Sequence, residues 1–380
     1  MMEYLELSVG ESNPPSYVRR GSVDRLRGIS AVIFDCDGVL IDVKDSYQKA
    51  VAATVVMVMR DLAGVSVDPG DTDEEVNFAF KATGGFNNDW DLTCVILMFA
   101  LSRLPDARLE ELNEASRESL AISDPHRRYE FIKGRMRREP TPIKGLRQEL
   151  LGYASRFDST GLQSTSRVLD DERLEGILKA LSYPGAVGES IIPTLFEQIF
   201  SGPCLFKRNL GLEPFFETPC KGYIENESLI VKPKTFNELK TLLGGAEFGV
   251  ASGSLENTAK YVLGSLAEWF KPGAEVWMET VDRATADKRG KDLRKPNPYS
   301  LFKVSMAFEP FKQVLYVGDT YADLLMTKRA NEEDPRYVFA GVFWNTSKRG
   351  ETKRQFFEGG ADVVAPSVNE LPELLEMIRC

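Results

Sequence analysis

A single histidine, His126, stands among 380 residues, so this chain can assemble neither a histidine-based triad nor a His-rich metal centre. Cysteines are also few: Cys36, Cys94, Cys204, Cys220 and Cys380 are scattered, odd in number and without a Cys-x-x-Cys pair. That pattern disfavours a disulfide framework and a zinc site, and is read as free buried thiols. Long apolar runs are missing, since the longest, Ala50 to Met59, is too short to cross a bilayer and carries Thr54. No membrane span is expected. Met1 to Gly10 has acidic residues and no basic stretch ahead of an apolar one, unlike a secretory signal. A cytoplasmic protein is expected. Basic charge is in deficit, and the formal net charge of −10 argues against nonspecific nucleic-acid binding, which needs an excess of Lys and Arg on one face. A compact anionic substrate stays admissible, because a local positive pocket suffices for it.

A hydrophobic content of 43% and a charged content of 27% describe a globular chain, and its length exceeds one ordinary domain, so two compact units are expected. The most informative segment is Ala31-Val32-Ile33-Phe34-Asp35-Cys36-Asp37-Gly38-Val39-Leu40. Four apolar residues deliver two carboxylates and a glycine to the end of a buried strand. Side chains alternate along extended backbone, so Asp35 and Asp37 are expected to face one site while Cys36 faces away. Two close carboxylates repel unless a cation separates them, which points to a divalent metal, Mg²⁺ above all. Asp35 can then be a nucleophile and Asp37 a proton carrier.

This decapeptide resembles the first motif of the haloacid dehalogenase superfamily, in its phosphatase branch. Phe248-Gly249-Val250-Ala251-Ser252-Gly253-Ser254 is similar to the second motif, Lys295-Pro296-Asn297-Pro298 to the third, and Val314-Leu315-Tyr316-Val317-Gly318-Asp319-Thr320-Tyr321-Ala322-Asp323 to the fourth. Order and spacing match too. The resemblance implies that the Ser252 hydroxyl and the N–H of Gly253 grip phosphoryl oxygens, and that the Lys295 ammonium balances nucleophile and phosphate. It further implies Mg²⁺ held by the Asp35 carboxylate, the Asp37 carbonyl and the Asp319 carboxylate. Asp323, at i+4 from Asp319, is expected to share its helix face and to orient a metal-bound water or the loop. Ser252 reads equally as a strand-ending cap, and Lys288, Lys291 and Arg294 compete with Lys295 within one basic stretch.

After residue 246 strands and helices alternate, ending with strands at Tyr337 to Phe343 and Asp362 to Ala365 and a helix at Glu370 to Ile378. This βα repeat implies an α/β fold, a Rossmann-like parallel sheet with helices on both faces. Residues 30–41 and 246–380 are assigned to this core. Residues 42–245 read as an inserted, mostly α-helical domain, with helices expected at Asp91 to Arg103, Arg108 to Leu120, Arg127 to Arg137, Leu146 to Arg156, Glu172 to Leu181 and Ile192 to Phe200. The resemblance makes this insert a large C1-type cap, loosely similar to phosphoglycolate-phosphatase-like members. Within it, Asn87, Asn88, Asp89 and Trp90 follow a diglycine and read either as pocket lining or as a Trp-anchored helix start. Residues 1–29 lack periodicity and read as an extension lying on the core or partly disordered.

The expected activity is Mg²⁺-dependent hydrolysis of a small phosphorylated metabolite through an aspartyl-phosphate on Asp35. A phosphomutase or phosphotransferase on the same scaffold, or a catalytically idle binding protein, are the competing readings.

Overall fold

The computed structural model describes residues 3–9, 14–86, 88–137, 142–158, 160–287, 292–346 and 348–379. Ten strands are found among them: β1 (Tyr4–Leu7), β2 (Ser16–Arg19), β3 (Ile29–Phe34), β4 (Ile41–Asp42), β5 (Ser228–Leu229), β6 (Glu247–Ala251), β7 (Phe270–Val276), β8 (Gln313–Gly318), β9 (Tyr337–Val342) and β10 (Val363–Ala365). Eight of them form one sheet in the order β1-β2-β10-β9-β8-β3-β6-β7, and β4 with β5 makes a separate antiparallel pair. From β10 to β7 every neighbouring pair is parallel.

The apolar runs of the sequence are strands buried on both faces, as parallel strands flanked by helices must be. Val32 and Phe34 pack with Phe236, Leu371 and Leu374 on one face, whereas Ala31 and Ile33 pack with Leu301, Val304 and Phe356 on the other. The sheet is thus the α/β core expected from the βα repeat.

The stretch 1–29, read as an extension lying on the core or partly disordered, lies on the core in its described residues and does so as regular strands. β1 and β2 form an antiparallel hairpin that continues the sheet, with Val18 opposite Val363 on β10, and Arg25 and Ser22 anchor to Asp362. Strand β7 is followed closely by the helix Met278–Asp287.

The chain divides into two compact units, Met1–Val43 with Glu227–Cys380 and Lys44–Asn226. The core thus takes back residues 227–245, which the sequence pattern had assigned to the insert. Val231, Phe236 and Leu239 explain the difference, for all three are buried in the hydrophobic core beneath the sheet. The second unit is helical among its described residues. Its longest segments include Tyr47–Val58, Asp89–Ser102, Asp106–Ser119, Pro125–Arg135 and Ile191–Ser201. Asp89–Ser102 is buried from Leu92 through Leu101, and Ile191–Ser201 is buried throughout, so this unit has a core of its own. Among the described residues no helix is long and apolar enough to cross a membrane.

Candidate active site

β3 lies between β8 and β6, with Phe34 opposite both Val317 and Val250. The residues that follow these three positions therefore emerge side by side at the C-terminal edge of the sheet, where open α/β sheets bind ligands. They are Asp35, Asp319 and Ser252.

Asp35 is the first residue beyond β3. Its N–H still donates to Val317 O at 2.8 Å, one carboxylate oxygen accepts the Cys36 N–H at 2.8 Å, and the other meets Lys295 Nζ at 2.8 Å. The strand alternation anticipated for Asp35 and Asp37 does not operate, because β3 has ended and the chain turns. Cys36 O accepts Leu40 N–H at 2.7 Å and Ile41 N–H at 3.0 Å. Half-buried Asp37 sits in that turn, held by Gly38, whose φ is +73° and whose N–H donates to Ile41 O at 2.8 Å. A Cβ at position 38 would run into the Asp319 carboxylate. Gly38→Ala is therefore expected to cost about 1–3 kcal/mol of stability and to displace Asp319; a thermal midpoint equal to wild type would show that the turn tolerates the side chain.

Asp319 follows β8, and the helix Tyr321–Glu333 begins only after it. Asp319 and Asp323 thus do not share a helix face, contrary to the i, i+4 reading. Thr320 is the N-cap, and the Asp323 carboxylate reaches back to the Thr320 N–H at 3.0 Å in a capping box. Asp323 also accepts Tyr316 Oη–H at 2.7 Å and pairs with Lys295 Nζ at 2.8 Å. With both oxygens so engaged, Asp323 holds the lysine in place. Tyr316, fully buried on β8, also puts its ring 5.6 Å from Lys295 Nζ. Sequence reading had not selected it, though a tyrosine within an otherwise apolar strand signals a hydroxyl that needs a partner.

Burial pushes the Asp35 carboxyl above the usual carboxylate range against the pull of Lys295. Asp319 is raised much further, by burial and then by the charges of Asp35 and Asp323. Asp323 is buried too, yet Lys295, Thr320 and Tyr316 hold it below that range. In return Asp323 and Asp35 outweigh burial and hold Lys295 firmly protonated. Arg294, one of the competing cations, is instead bound to Asp282 at 2.9 Å; Lys288 and Lys291 lie outside the described residues.

Asp35, Asp319 and Asp323 each offer an oxygen within 4.8 Å of the others. Three carboxylates stand against the Lys295 ammonium that pairs with two of them. This surplus of negative charge on hard oxygen donors suits a divalent cation such as Mg²⁺. Asp35 and Asp319 fit as its ligands, with Asp323 occupied as described.

Ser252 lies just past β6 and is buried, its N–H donating to Val276 O at 3.0 Å. Its Oγ is 2.9 Å from Ser254 Oγ. Gly253 is exposed, with open space where a Cβ would point.

Asn88, Asp89 and Trp90, singled out in the insert, lie in the other unit. Asn88 caps the helix Asp89–Ser102 through the Trp90 N–H at 2.8 Å, Asp89 pairs with Lys81 at 2.8 Å, and Trp90 Nε1–H donates to Glu197 at 2.9 Å. These are the bonds of a Trp-anchored helix start. Asn87 lies outside the described residues.

Residues 29–331 match the family of haloacid dehalogenase-like hydrolases. An X-ray structure from a structural genomics consortium is similar to the chain with a TM-score of 0.65 at 17% identity, covering 92% of this chain and 98% of that one, a likeness of fold. A phosphatase from Thermococcus thioreducens is similar with a TM-score of 0.47 at 18% identity, covering 91% of this chain and 98% of that one. No curated protein sequence matches significantly.

Proposed function

The chain belongs to the haloacid dehalogenase-like hydrolase family, and from that premise we propose that it hydrolyses a small phosphate monoester, with Asp35 as nucleophile and Mg²⁺ as cofactor. The observation that carries this reading is the Lys295 ammonium set 2.8 Å from both Asp35 and Asp323, beside Asp319. A fixed cation against a buried carboxylate opposes the upward push of burial on that carboxyl and offers a counter-charge to an arriving phosphoryl group.

In the proposed reaction an Asp35 oxygen attacks phosphorus, the bond from phosphorus to the leaving oxygen breaks, and Asp37 gives that oxygen its proton. Asp37 then takes a proton from water, which attacks the aspartyl-phosphate at phosphorus, freeing inorganic phosphate and restoring Asp35. Lys295, the Ser252 hydroxyl and the Gly253 N–H hold the phosphoryl oxygens throughout, while Asp323 fixes Lys295. Bound Mg²⁺, held by Asp35, the Asp37 carbonyl and Asp319, would offset the negative charge of the phosphoryl group.

The insert falls between Asp37 and Ser252 in the chain, the position of a C1-type cap, and this supports a phosphoglycolate-phosphatase-like member acting on a small metabolite. Net charge −10 disfavours a nucleic-acid substrate. Cys36 and Cys94 are buried free thiols, whereas Cys204 and Cys220, against the expectation of burial, are exposed ones; four free thiols support a cytoplasmic setting.

Phosphate release from a panel of phosphorylated metabolites, with and without Mg²⁺, tests the activity; release from no member would overturn it. Metal binding has a separate readout. Mg²⁺ at a hundred times its Kd is expected to stabilise the wild type by about 2.7 kcal/mol. Asp319→Asn should remove that gain and raise the metal-free midpoint, since its carboxyl is buried and then crowded by Asp35 and Asp323. A wild-type midpoint indifferent to Mg²⁺ would count against the site.

A further inference from the structure

The residue after the phosphate-gripping pair carries a hydroxyl of its own, and it is turned inward. Ser254 is 5% exposed. Its Oγ lies 2.9 Å from Ser252 Oγ, and its backbone N–H donates to that same Ser252 Oγ at 3.2 Å. Ser254 O in turn accepts the Met278 N–H at 3.1 Å, which pins the turn to the start of the helix Met278–Asp287.

A serine hydroxyl has one proton to give and two lone pairs to receive with. The Ser254 N–H fills one lone pair of Ser252 Oγ. If the Ser254 hydroxyl donates as well, the second is filled, and the Ser252 proton has no acceptor left within the pair. It must then point away, toward a third group. If instead Ser252 donated to Ser254, its proton would be spent inside the turn and its hydroxyl could not give a hydrogen bond to a phosphoryl oxygen. The arrival of an anion selects the first arrangement, because a phosphoryl oxygen accepts and cannot donate.

We propose that Ser254 is a positioning residue that fills the acceptor sites of Ser252 and thereby commits the Ser252 proton to the phosphoryl group. The proposal rests on the phosphatase reading given above. Ser254 acts through Ser252 and touches no reacting atom, which sets it apart from a further phosphate ligand.

The test uses the full chain with Mg²⁺ and inorganic phosphate as the probe, followed by calorimetry, with turnover of p-nitrophenyl phosphate alongside. Ser254→Ala, which keeps the backbone N–H and loses the hydroxyl, should weaken phosphate binding about tenfold, the scale of one oriented hydrogen bond. Ser254→Thr should restore it. In a Ser252→Ala background, Ser254→Ala should add nothing, because its target is gone. Additive losses in the double variant, or wild-type phosphate affinity in a folded Ser254→Ala protein, would overturn the proposal while leaving the phosphatase reading intact. Absence of phosphate binding by the wild type would remove both.

Discussion

Asp35→Asn is expected to lower phosphate release by on the order of 10⁴-fold or more, the scale at which one member of a cooperating catalytic group is felt, without lowering the thermal midpoint. The two halves of this expectation have separate causes. An amide oxygen cannot form the acyl phosphate, so the covalent route closes. The fold, however, gives up little. The substituted amide can still accept the Cys36 N–H, and Lys295 keeps Asp323 at 2.8 Å. Losing the Asp35 charge also relieves Asp319, which that charge pushes upward. In metal-free protein the midpoint should therefore hold or rise. Full turnover by the variant would dismiss Asp35 as nucleophile, and a fallen midpoint would assign the loss to the fold instead.

What could be read from the sequence, and what could not, follows from the range of the forces involved. β3 and β8 were legible because strands buried on both faces must be apolar throughout, so Ala31 to Phe34 and Val314 to Val317 announce themselves. The inserted helices were legible from their own periodicity and punctuation, and Asp89–Ser102 and Ile191–Ser201 fall within two residues of their expected bounds. β1 and β2 were not, for they are four residues each, and β2, on which β1 pairs, is held by a strand far along the chain, Val18 opposite Val363. Nor was the boundary of the insert. The helix Pro233–Leu242 carries the same apolar spacing as the helices before it, and what assigns it to the core is the partner that buries Phe236 and Leu239.

The site divides in the same way. The acids and the lysine stood out as residue types in order, and the structure brings Asp35, Asp319, Asp323 and Lys295 together. Their relations were misjudged wherever a regular element was assumed to continue. Asp37 lies in a turn instead of on the strand, and Asp323 closes a helix N-terminus instead of lining a face with Asp319. Tyr316 and Ser254 went unselected because hydroxyls within a strand or turn are common, and only the folded arrangement shows which of them is aimed at a functional group.

Lys295→Met should be the most destabilising single change at the site, by about 3–5 kcal/mol, the usual consequence of removing one partner of a buried ion pair. Methionine replaces the four-atom apolar stem of lysine and omits the ammonium, so the deficit would be chiefly electrostatic. It leaves Asp35 and Asp323 facing each other and Asp319 with no ammonium among them, and phosphate binding should fall with it. The pH dependence gives the sign. In the wild type Asp323 is held below the ordinary carboxylate range. It thus contributes stability that is present above about pH 4 and lost as pH falls through its lowered folded value. Without Lys295 the same carboxyl is raised by burial, so the folded variant binds protons more readily than the unfolded chain and acid relieves it. The gap in midpoint between wild type and variant should therefore narrow on acidification from neutral pH toward about 4. Lys295→Met/Asp323→Asn should recover much of the stability and none of the activity, which separates the lysine's service to the fold from its service to the phosphoryl group. A single variant as stable and as active as wild type would deny the ammonium both tasks.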